Sequence, residues 1–423
     1  MTDPDTDGRV LSHYEAYPYP ARDPRDEAKR LVTGSPSALA ELDHYVFGGA
    51  RDLTQPFRAL IAGGGTGDAA IMLAQQMADA GVPGTVTHLD ISAPSQAVAR
   101  ARAEARGLAN LRFERGSLLD AAALGLGPFD YIDCCGVLHH LADPDAGLAA
   151  LVSVLAPDGG IGLMVYGELG RTGVYDVQDM LRTLAPAGED DARRVETAKR
   201  LVAALPPTSR LARNPLVQDH RSGGDAGLYD LLLHARDRAY RVPELAALAA
   251  GAGLRLTALI APYEYEPAHF LKAPALLKRL DGLDWLQRAA FAELLTGNRL
   301  KHIAYAVRAG NPVAPPVPDT PEIVPVLNDL RVEDAVRLVP PGGSMTVSSD
   351  GLKTNLPVPP LARSIVGLCD GARDLGAIHA ALREKRTDLD WPAFQRQFAA
   401  LHATLNGINR MVLRRPGPRR SPD

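Results

Sequence analysis

Residues 58–67 read Arg-Ala-Leu-Ile-Ala-Gly-Gly-Gly-Thr-Gly, and the Ala-rich segment that follows from Asp68 spaces its apolar residues with a helical period. An apolar run of strand length that breaks into glycines and then turns helical is a strand–turn–helix unit. Gly63, Gly65 and Gly67 lie in the turn, where missing side chains let a ligand approach the backbone amides. Working outward, strands are expected at 58–62, 84–90, 110–115, 129–135 and 159–165, with helices near 67–80, 93–107 and 144–155 between them. Strands alternating with helices build a parallel sheet, and five of them within about a hundred residues make it doubly wound.

After Tyr166 the alternation stops. A mostly helical stretch runs to about Tyr240, and the strand–helix alternation resumes with a helix at 242–250 and strands at 254–261 and 302–307. The last two complete a seven-stranded, mostly parallel α/β sheet, so that a core spans 58–308 with helical insertions at about 167–240 and 263–300. Residues 309–321, AGNPVAPPVPDTP, hold five prolines and read as an extended linker. Residues 1–57 read as an N-terminal arm with lid helices around 26–32 and 37–46. Residues 322–415 read as a small α+β module: a strand or hairpin at 345–354, helices at 360–369, 374–386 and 391–408, and a strand at 411–414. Residues 416–423 read as a disordered basic tail.

The chain has 423 residues, a formal net charge of −4, 46% hydrophobic and 23% charged residues, the profile of a globular α/β protein of two or three domains. Such a charge gives no general attraction to phosphate backbones or anionic lipid, so neither nucleic acid nor membrane is an expected partner. No apolar run reaches the ~18 residues of a membrane span, and the acidic start lacks a signal-peptide pattern. Three cysteines, two of them adjacent at Cys134 and Cys135, have no metal-ligand spacing and suit a reducing cytoplasm. No metal site is expected.

The loop itself excludes two ligand classes. A dinucleotide fingerprint needs a third glycine where Asp68 stands, which argues against NAD. A triphosphate-cradling loop needs Gly-Lys-Ser/Thr, and the lysine is missing. The next strand ends His88-Leu-Asp90-Ile-Ser92, and an acid at the tip of the second strand accepts hydrogen bonds from a ribose diol. A glycine turn by itself reads equally as a plain turn; with the acid and the strand order it points to a small nucleoside-bearing ligand.

With these motifs the chain resembles class I S-adenosylmethionine-dependent methyltransferases, whose sheet is Rossmann-like, well over about 45–165 and loosely over 240–308. The segments that carry the resemblance are ALIAGGGTG, HLDIS, LRFERGSLLD, FDYIDCCGVLHHLADP and LAPDGGIGLMVY. It implies S-adenosyl-L-methionine as cofactor, with Gly63, Gly65 and Gly67 at its methionine part, Asp90 at the ribose, Ser117 and Leu118 at the adenine, and Cys135, Gly136 and Val137 beside the sulfonium. Gly64, Thr66 and Ile91 belong to the same contact set. Two positions depart from the family pattern: Ile61 stands where an acid often meets the ligand's ammonium, and Ser117 where an acid often meets the adenine amine.

A methyltransferase must chiefly align its reactants and exclude water. A base is needed where the acceptor carries a proton, and His139 and His140, just past the fourth strand, are the candidates; both read equally as capping or packing histidines. Arg171, in the run Tyr166–Tyr175, is a candidate grip for an acceptor carboxylate, or else a solvated loop arginine. The cluster His234–Tyr240 closes the pocket or is a plain charged loop, and Tyr17 to Pro20 form a lid or a surface arm. Cys134 and Cys135 read as buried, unreactive thiols.

The stretch 345–385, with its LCDG turn, resembles winged-helix-like domains of the pyrroloquinoline-quinone D type, which implies a peptide or protein acceptor; the competing reading is self-association into a homo-oligomer. The function classes are therefore a methyltransferase for a small-molecule acceptor, one for a peptide or protein, and a catalytically silent S-adenosylmethionine-binding protein. Asp68 disfavours an oxidoreductase.

Overall fold

The computed structural model describes Glu15 and residues 18–416. Tyr14, Tyr17 and the basic tail beyond Pro416 lie outside the described residues. Seven strands form one sheet: β1 (Phe57–Ala62), β2 (Gly84–Asp90), β3 (Leu111–Arg115), β4 (Phe129–Cys135), β5 (Leu155–Tyr166), β6 (Leu254–Ile260) and β7 (Lys301–Arg308). Their order is β3-β2-β1-β4-β5-β7-β6. All pairs are parallel except those of β7, which runs antiparallel to both β5 and β6. β5 begins sooner than the expected 159, because Leu155 already pairs with Phe129 before the register shifts.

The central strands β1, β4 and β5 are largely apolar because both faces of the sheet are covered there, whereas the edge strand β3, Leu-Arg-Phe-Glu-Arg, is mostly exposed. Alternate residues of β1 and β4 enter different cores. Leu60, Ala62, Ile132 and Cys134 pack with Leu148 and Leu151 of one helix and Leu245 and Leu248 of another. Phe57, Ala59, Ile61 and Tyr131 pack with Ala70, Leu73 and Met77, and with Leu42, Tyr45 and Val46. The helices are α1 (Asp68–Asp79), α2 (Ala93–Ala105) and α3 (Pro144–Ser153), then α4 (Val174–Leu184), α5 (Asp191–Ala204) and α6 (Gly224–Leu232) in the first insertion, α7 (Val242–Gly251), and α8 (Trp285–Thr296) in the second. The first insertion holds its own apolar cluster, with Val177, Leu181, Ala198, Leu228 and Leu231 at its centre. Among the described residues no helix is long and apolar enough to cross a membrane.

Residues 39–46, assigned from sequence to the arm, are a layer of the core: Leu42 and Val46 are fully buried. The carbonyl of Pro36 accepts hydrogen bonds from Tyr131 and Tyr305, and Ser37 donates to Asp133 at 2.6 Å. The C-terminal module contains α9 (Val332–Leu338), α10 (Leu375–Arg383) and α11 (Trp391–Gly407), a hairpin of β9 (Gly343–Ser349) and β10 (Leu352–Val358), and a second small sheet in which β11 (Met411–Arg414) pairs with β8 (Val324–Leu327). β8 and α9 are absent from the sequence expectation. Pro321 and Pro325 make β8 resemble the linker before it, yet a short strand whose proline lies in a two-stranded sheet tolerates the missing donor.

Glu41 ties these parts together. Its carboxylate is buried and accepts from Ser35 at 2.8 Å, Asn328 at 2.7 Å, Asn409 at 2.8 Å and Tyr305 at 2.6 Å. One side chain therefore joins the N-terminal segment, β7 and the C-terminal module.

Two outcomes follow from these buried carboxylates. Glu41→Ala leaves several buried donors unpaired and is expected to lower stability by about 3 kcal/mol or more in urea unfolding. Burial pushes the Asp133 carboxyl up to about 6, against the hydrogen bonds from Ser37 and the Cys135 amide. A raised folded value means stability that is full below about pH 4 and lost as pH rises through about 6. Asp133→Asn is expected to flatten the stability–pH curve across that window by on the order of 2–3 kcal/mol relative to the native chain.

Candidate functional site

The loop between β1 and α1 lies at the carboxyl ends of the parallel strands, beside the point where strand order reverses between β1 and β4, the usual ligand crevice of such sheets. Gly63, Gly65 and Gly67 have φ of +73°, +50° and +99°, in the region that favours glycine. The space their missing side chains leave is filled by the chain itself. A β-carbon on Gly63 would strike Val137, one on Gly64 the His88 ring, and one on Gly65 the carbonyl of Tyr19. The loop amides are also engaged. Those of Gly63 and Gly64 donate to Leu89, that of Gly67 to Gly64, and that of Gly65 to Asp90 Oδ2 at 2.7 Å. The loop amides and the space beside its glycines are thus engaged by the chain itself.

Asp90, at the tip of β2, accepts a second bond from the Ser92 amide on Oδ1 at 2.7 Å. His88 lies on the same face of β2 two residues before it, fully buried, with Nε2 3.0 Å from the Gly65 carbonyl. Burial holds its pKa below the ordinary value, so the neutral ring donates through Nε2–H. His88 is a loop-shaping residue that sequence reasoning passes over inside the HLDIS motif. Ser117 caps the turn Leu118–Asp120 by accepting from the Leu119 amide at 3.2 Å, and Leu118 is buried. The Ile91 carbonyl accepts from Arg115 at 3.4 Å. The Gly136 amide donates to Met164, and Val137 packs on Gly63. Burial pushes the thiols of Cys134 and Cys135 far up, which keeps them protonated and poor nucleophiles.

The described part of the arm lies over this loop. Thr66 donates to the Pro20 carbonyl at 2.7 Å, and Arg22 grips Asp68 through two nitrogens at 2.9 and 2.6 Å. Arg102 of α2, 1% exposed, bonds Glu27 at 2.6 Å, Asp68 at 2.7 Å and the Thr66 carbonyl at 2.8 Å. Burial opposes ionisation of Asp68, but the bonds from Arg22 and Arg102 outweigh it and hold its pKa below the usual range. The Tyr19 phenol is pushed up to about 12 by burial, then by Asp230 and Asp219. A second group of polar residues, His140, Asp230 and His234 among them, lies past β4.

That group surrounds His139 and His140, which sit in the turn Leu138–His140 after β4. His139 is fully buried, and neither ring nitrogen has a hydrogen-bond partner. Burial, then His140, Arg171 and His234, hold its pKa well below the ordinary value. His140 Nδ1 lies 2.8 Å from the Arg236 carbonyl, and its ring stacks on His234 with centroids 3.8 Å apart. Tyr166 donates to Asp230 at 3.1 Å. Arg171 is 4% exposed and lies over the Tyr166 ring, and the carboxylate it grips is the chain's own Asp237, at 2.6 Å. It is not a solvated loop arginine: one guanidinium nitrogen is taken by Asp237, while Nε has no hydrogen-bond partner. The segment 234–240 is strapped down by Arg238 N–H to the His139 carbonyl and by Tyr240 N–H to Tyr166.

Residues 60–161 match the family model of a methyltransferase domain. An uncharacterized protein of Synechococcus sp. is 34% identical over 296 residues, 68% of this chain and 68% of that protein. A demethylmenaquinone methyltransferase of Thermus thermophilus is 40% identical over 108 residues, 25% of this chain and 44% of that one. The structure of PKMT2 from Rickettsia typhi in complex with AdoHcy aligns with a TM-score of 0.59 at 14% identity, covering 89% of this chain and 75% of that one, and so shares the fold. The chain belongs to the family of the Synechococcus protein and carries a methyltransferase domain.

Among the arginines that hold the arm, Arg102 and Arg22 differ in burial, and their loss should differ in kind. Arg102→Ala removes one of the two guanidinium partners of the buried Glu27 carboxylate, leaving it Arg106, and is expected to cost about 2–3 kcal/mol in urea unfolding as charge-assisted bonds are lost. Arg22→Ala breaks a pair of which each side chain is about a third exposed, and is expected to cost about 1 kcal/mol or less.

Proposed function

We propose that the chain is an S-adenosylmethionine-dependent methyltransferase acting on a small-molecule acceptor. The observation that carries this reading is the placement of Asp90 within the methyltransferase domain. Each of its carboxylate oxygens takes one backbone N–H, from Gly65 and from Ser92, and keeps a lone pair for a hydroxyl of a ribose diol. The residues present therefore fit the cofactor. Gly63, Gly64, Gly65, Thr66 and Gly67 would border its methionine part, Asp90 and Ile91 the ribose, Ser117 and Leu118 the adenine edge, and Cys135, Gly136 and Val137 the sulfonium. Ile61 is buried in the sheet and offers no charge to an ammonium group, so carbonyl oxygens would serve instead. Ser117 offers a hydroxyl without charge assistance.

When bound, S-adenosylmethionine supplies an electrophilic methyl group. The protein's own part is placement and exclusion of water. Residues 19–22 cover the glycine turn, and the His139–His140 turn with Tyr166 forms the wall beyond Cys135. His139 is held neutral by burial, which suits a proton acceptor, and His140 is oriented through its Nδ1. Arg171, committed to Asp237, would act by orienting the loop that follows β5.

A peptide or protein acceptor is the second reading, and one contact favours it. The tip of the β9–β10 hairpin meets the core where Asn298 donates to the Ser349 and Asp350 carbonyls at 3.3 and 3.0 Å. The C-terminal module thus reaches the segment next to the loop carrying Arg171.

Calorimetric titration with S-adenosylmethionine, S-adenosylhomocysteine and NAD tests the cofactor. Both sulfur ligands are expected to bind, Asp90→Asn to weaken them by about 10- to 100-fold as a charge-assisted bond is lost, and NAD not to bind. Tighter binding of NAD, or no binding of either sulfur ligand by the native chain, would overturn the reading.

A further inference from the structure

We propose that His140, Asp230 and His234 form a site for one divalent ion of the borderline transition-metal class, zinc foremost, beside the candidate acceptor pocket. The three side chains are 6%, 6% and 7% exposed, and their donor atoms all lie within 4.8 Å of one another. Two imidazole nitrogens with one carboxylate oxygen suit zinc, or cobalt in its place, and not magnesium or calcium, which prefer oxygen alone.

The surroundings supply the outer contacts such a site needs. His140 Nδ1 is 2.8 Å from the Arg236 carbonyl, so Nδ1 carries the proton and the Nε2 lone pair is left for an ion. Tyr166 donates to Asp230 Oδ2 at 3.1 Å, which orients the carboxylate. Asp230 and His234 stand four residues apart at the end of α6, and His140 comes from the turn after β4, so an ion would clamp the insertion to the sheet. His139 is the independent sign. It is wholly buried, its ring centroid is 4.2 Å from that of His140, and neither of its nitrogens has a partner. Buried polar atoms without partners are rare and ask for a reason, and an ion beside His140 would give this neighbouring imidazole a charge to face.

One rearrangement is required. The His140 and His234 rings are stacked with their planes 27° apart, so their lone pairs do not converge, and His234 Nδ1 accepts from the Arg236 amide at 3.1 Å. Binding would require the His234 ring to turn about its Cβ–Cγ bond at the cost of its present contacts, the Nδ1 bond to the Arg236 amide among them. With three protein ligands and an open fourth position, the ion would bind and polarise an acceptor oxygen or sulfur.

The test uses the full chain freed of metal by a chelator and titrated with Co2+, read by visible absorption, with Zn2+ and Mg2+ as competitors. One equivalent of cobalt is expected, displaced by zinc and not by magnesium. His140→Gln and Asp230→Asn should each weaken cobalt binding by at least about 100-fold, and Tyr166→Phe by about tenfold, the usual effect of an outer partner. Thermal melting of each variant separates loss of the ion from loss of the fold. No cobalt uptake by the native chain, or uptake that folded variants retain unchanged, overturns the proposal. S-adenosylhomocysteine binding by the metal-free chain is measured beside it, so this inference fails separately from the methyltransferase reading.

Discussion

A guanidinium with 1% of its surface exposed is tolerable only when anions and carbonyls surround it, and Arg102 sets this constraint on the candidate site. Its neighbours are Glu27 from the arm, Asp68 from the start of α1 and the Thr66 carbonyl from the glycine turn. Desolvating that charge without any one of them is costly, so the arm, the turn and α2 have one mutual arrangement. Asp68, which from sequence merely excludes a dinucleotide loop, is the residue through which this clamp acts. It also receives Arg22, so the covering segment is fastened at both ends: firmly inside by Arg102 and Glu27, and weakly at the surface by a pair that salt screens.

Glu41 plays the corresponding part for the N-terminal segment and the C-terminal module. Four donors from three regions converge on it, and the Leu413 amide meets His44 Nδ1 nearby at 3.1 Å. The small C-terminal module has its own apolar centre around Phe394, Phe398 and Leu401, yet it is joined to the large sheet by buried polar bonds. Such bonds fix relative position more narrowly than apolar contact does, because each is directional and costly to leave unmade.

The sheet is legible in the sequence wherever local pattern and burial agree. β1 to β4 lie within a residue or so of their expected bounds, because β1 and β4 are largely apolar runs set between polar or glycine-rich turns, and β2 and the edge strand β3 alternate apolar with polar residues. Residues 39–46 read as part of an arm because their partners, Tyr131 and Tyr305, are distant in sequence and nothing local reveals that they will be covered. β8 escapes sequence reading because four residues next to a proline-rich linker carry no period. Within the site, Asp90 announces itself by its place at a strand end. His88 does not, since a histidine in a strand gives no sign of which face it takes. Arg171 is placed near the site by its position after β5, but its partner Asp237 is 66 residues away, and a pairing across an inserted helical unit leaves no mark on either local sequence. Asp230 and His234 carry a readable spacing of four, but the third member of their group comes from another part of the chain.

The antiparallel strand β7 lies between β5 and β6, and its residues 301–307 pair with 160–166. During synthesis the apolar edge Ile161–Tyr166 therefore emerges long before the strand that covers it. At ordinary ribosomal speeds the intervening stretch takes roughly ten seconds to appear, and an uncovered hydrophobic strand edge invites pairing with another chain. The two insertions lengthen that interval. This protein's passage to its native state should accordingly be most vulnerable to intermolecular association while the second insertion is still being made, and shortening either insertion would change its yield before it changed its chemistry.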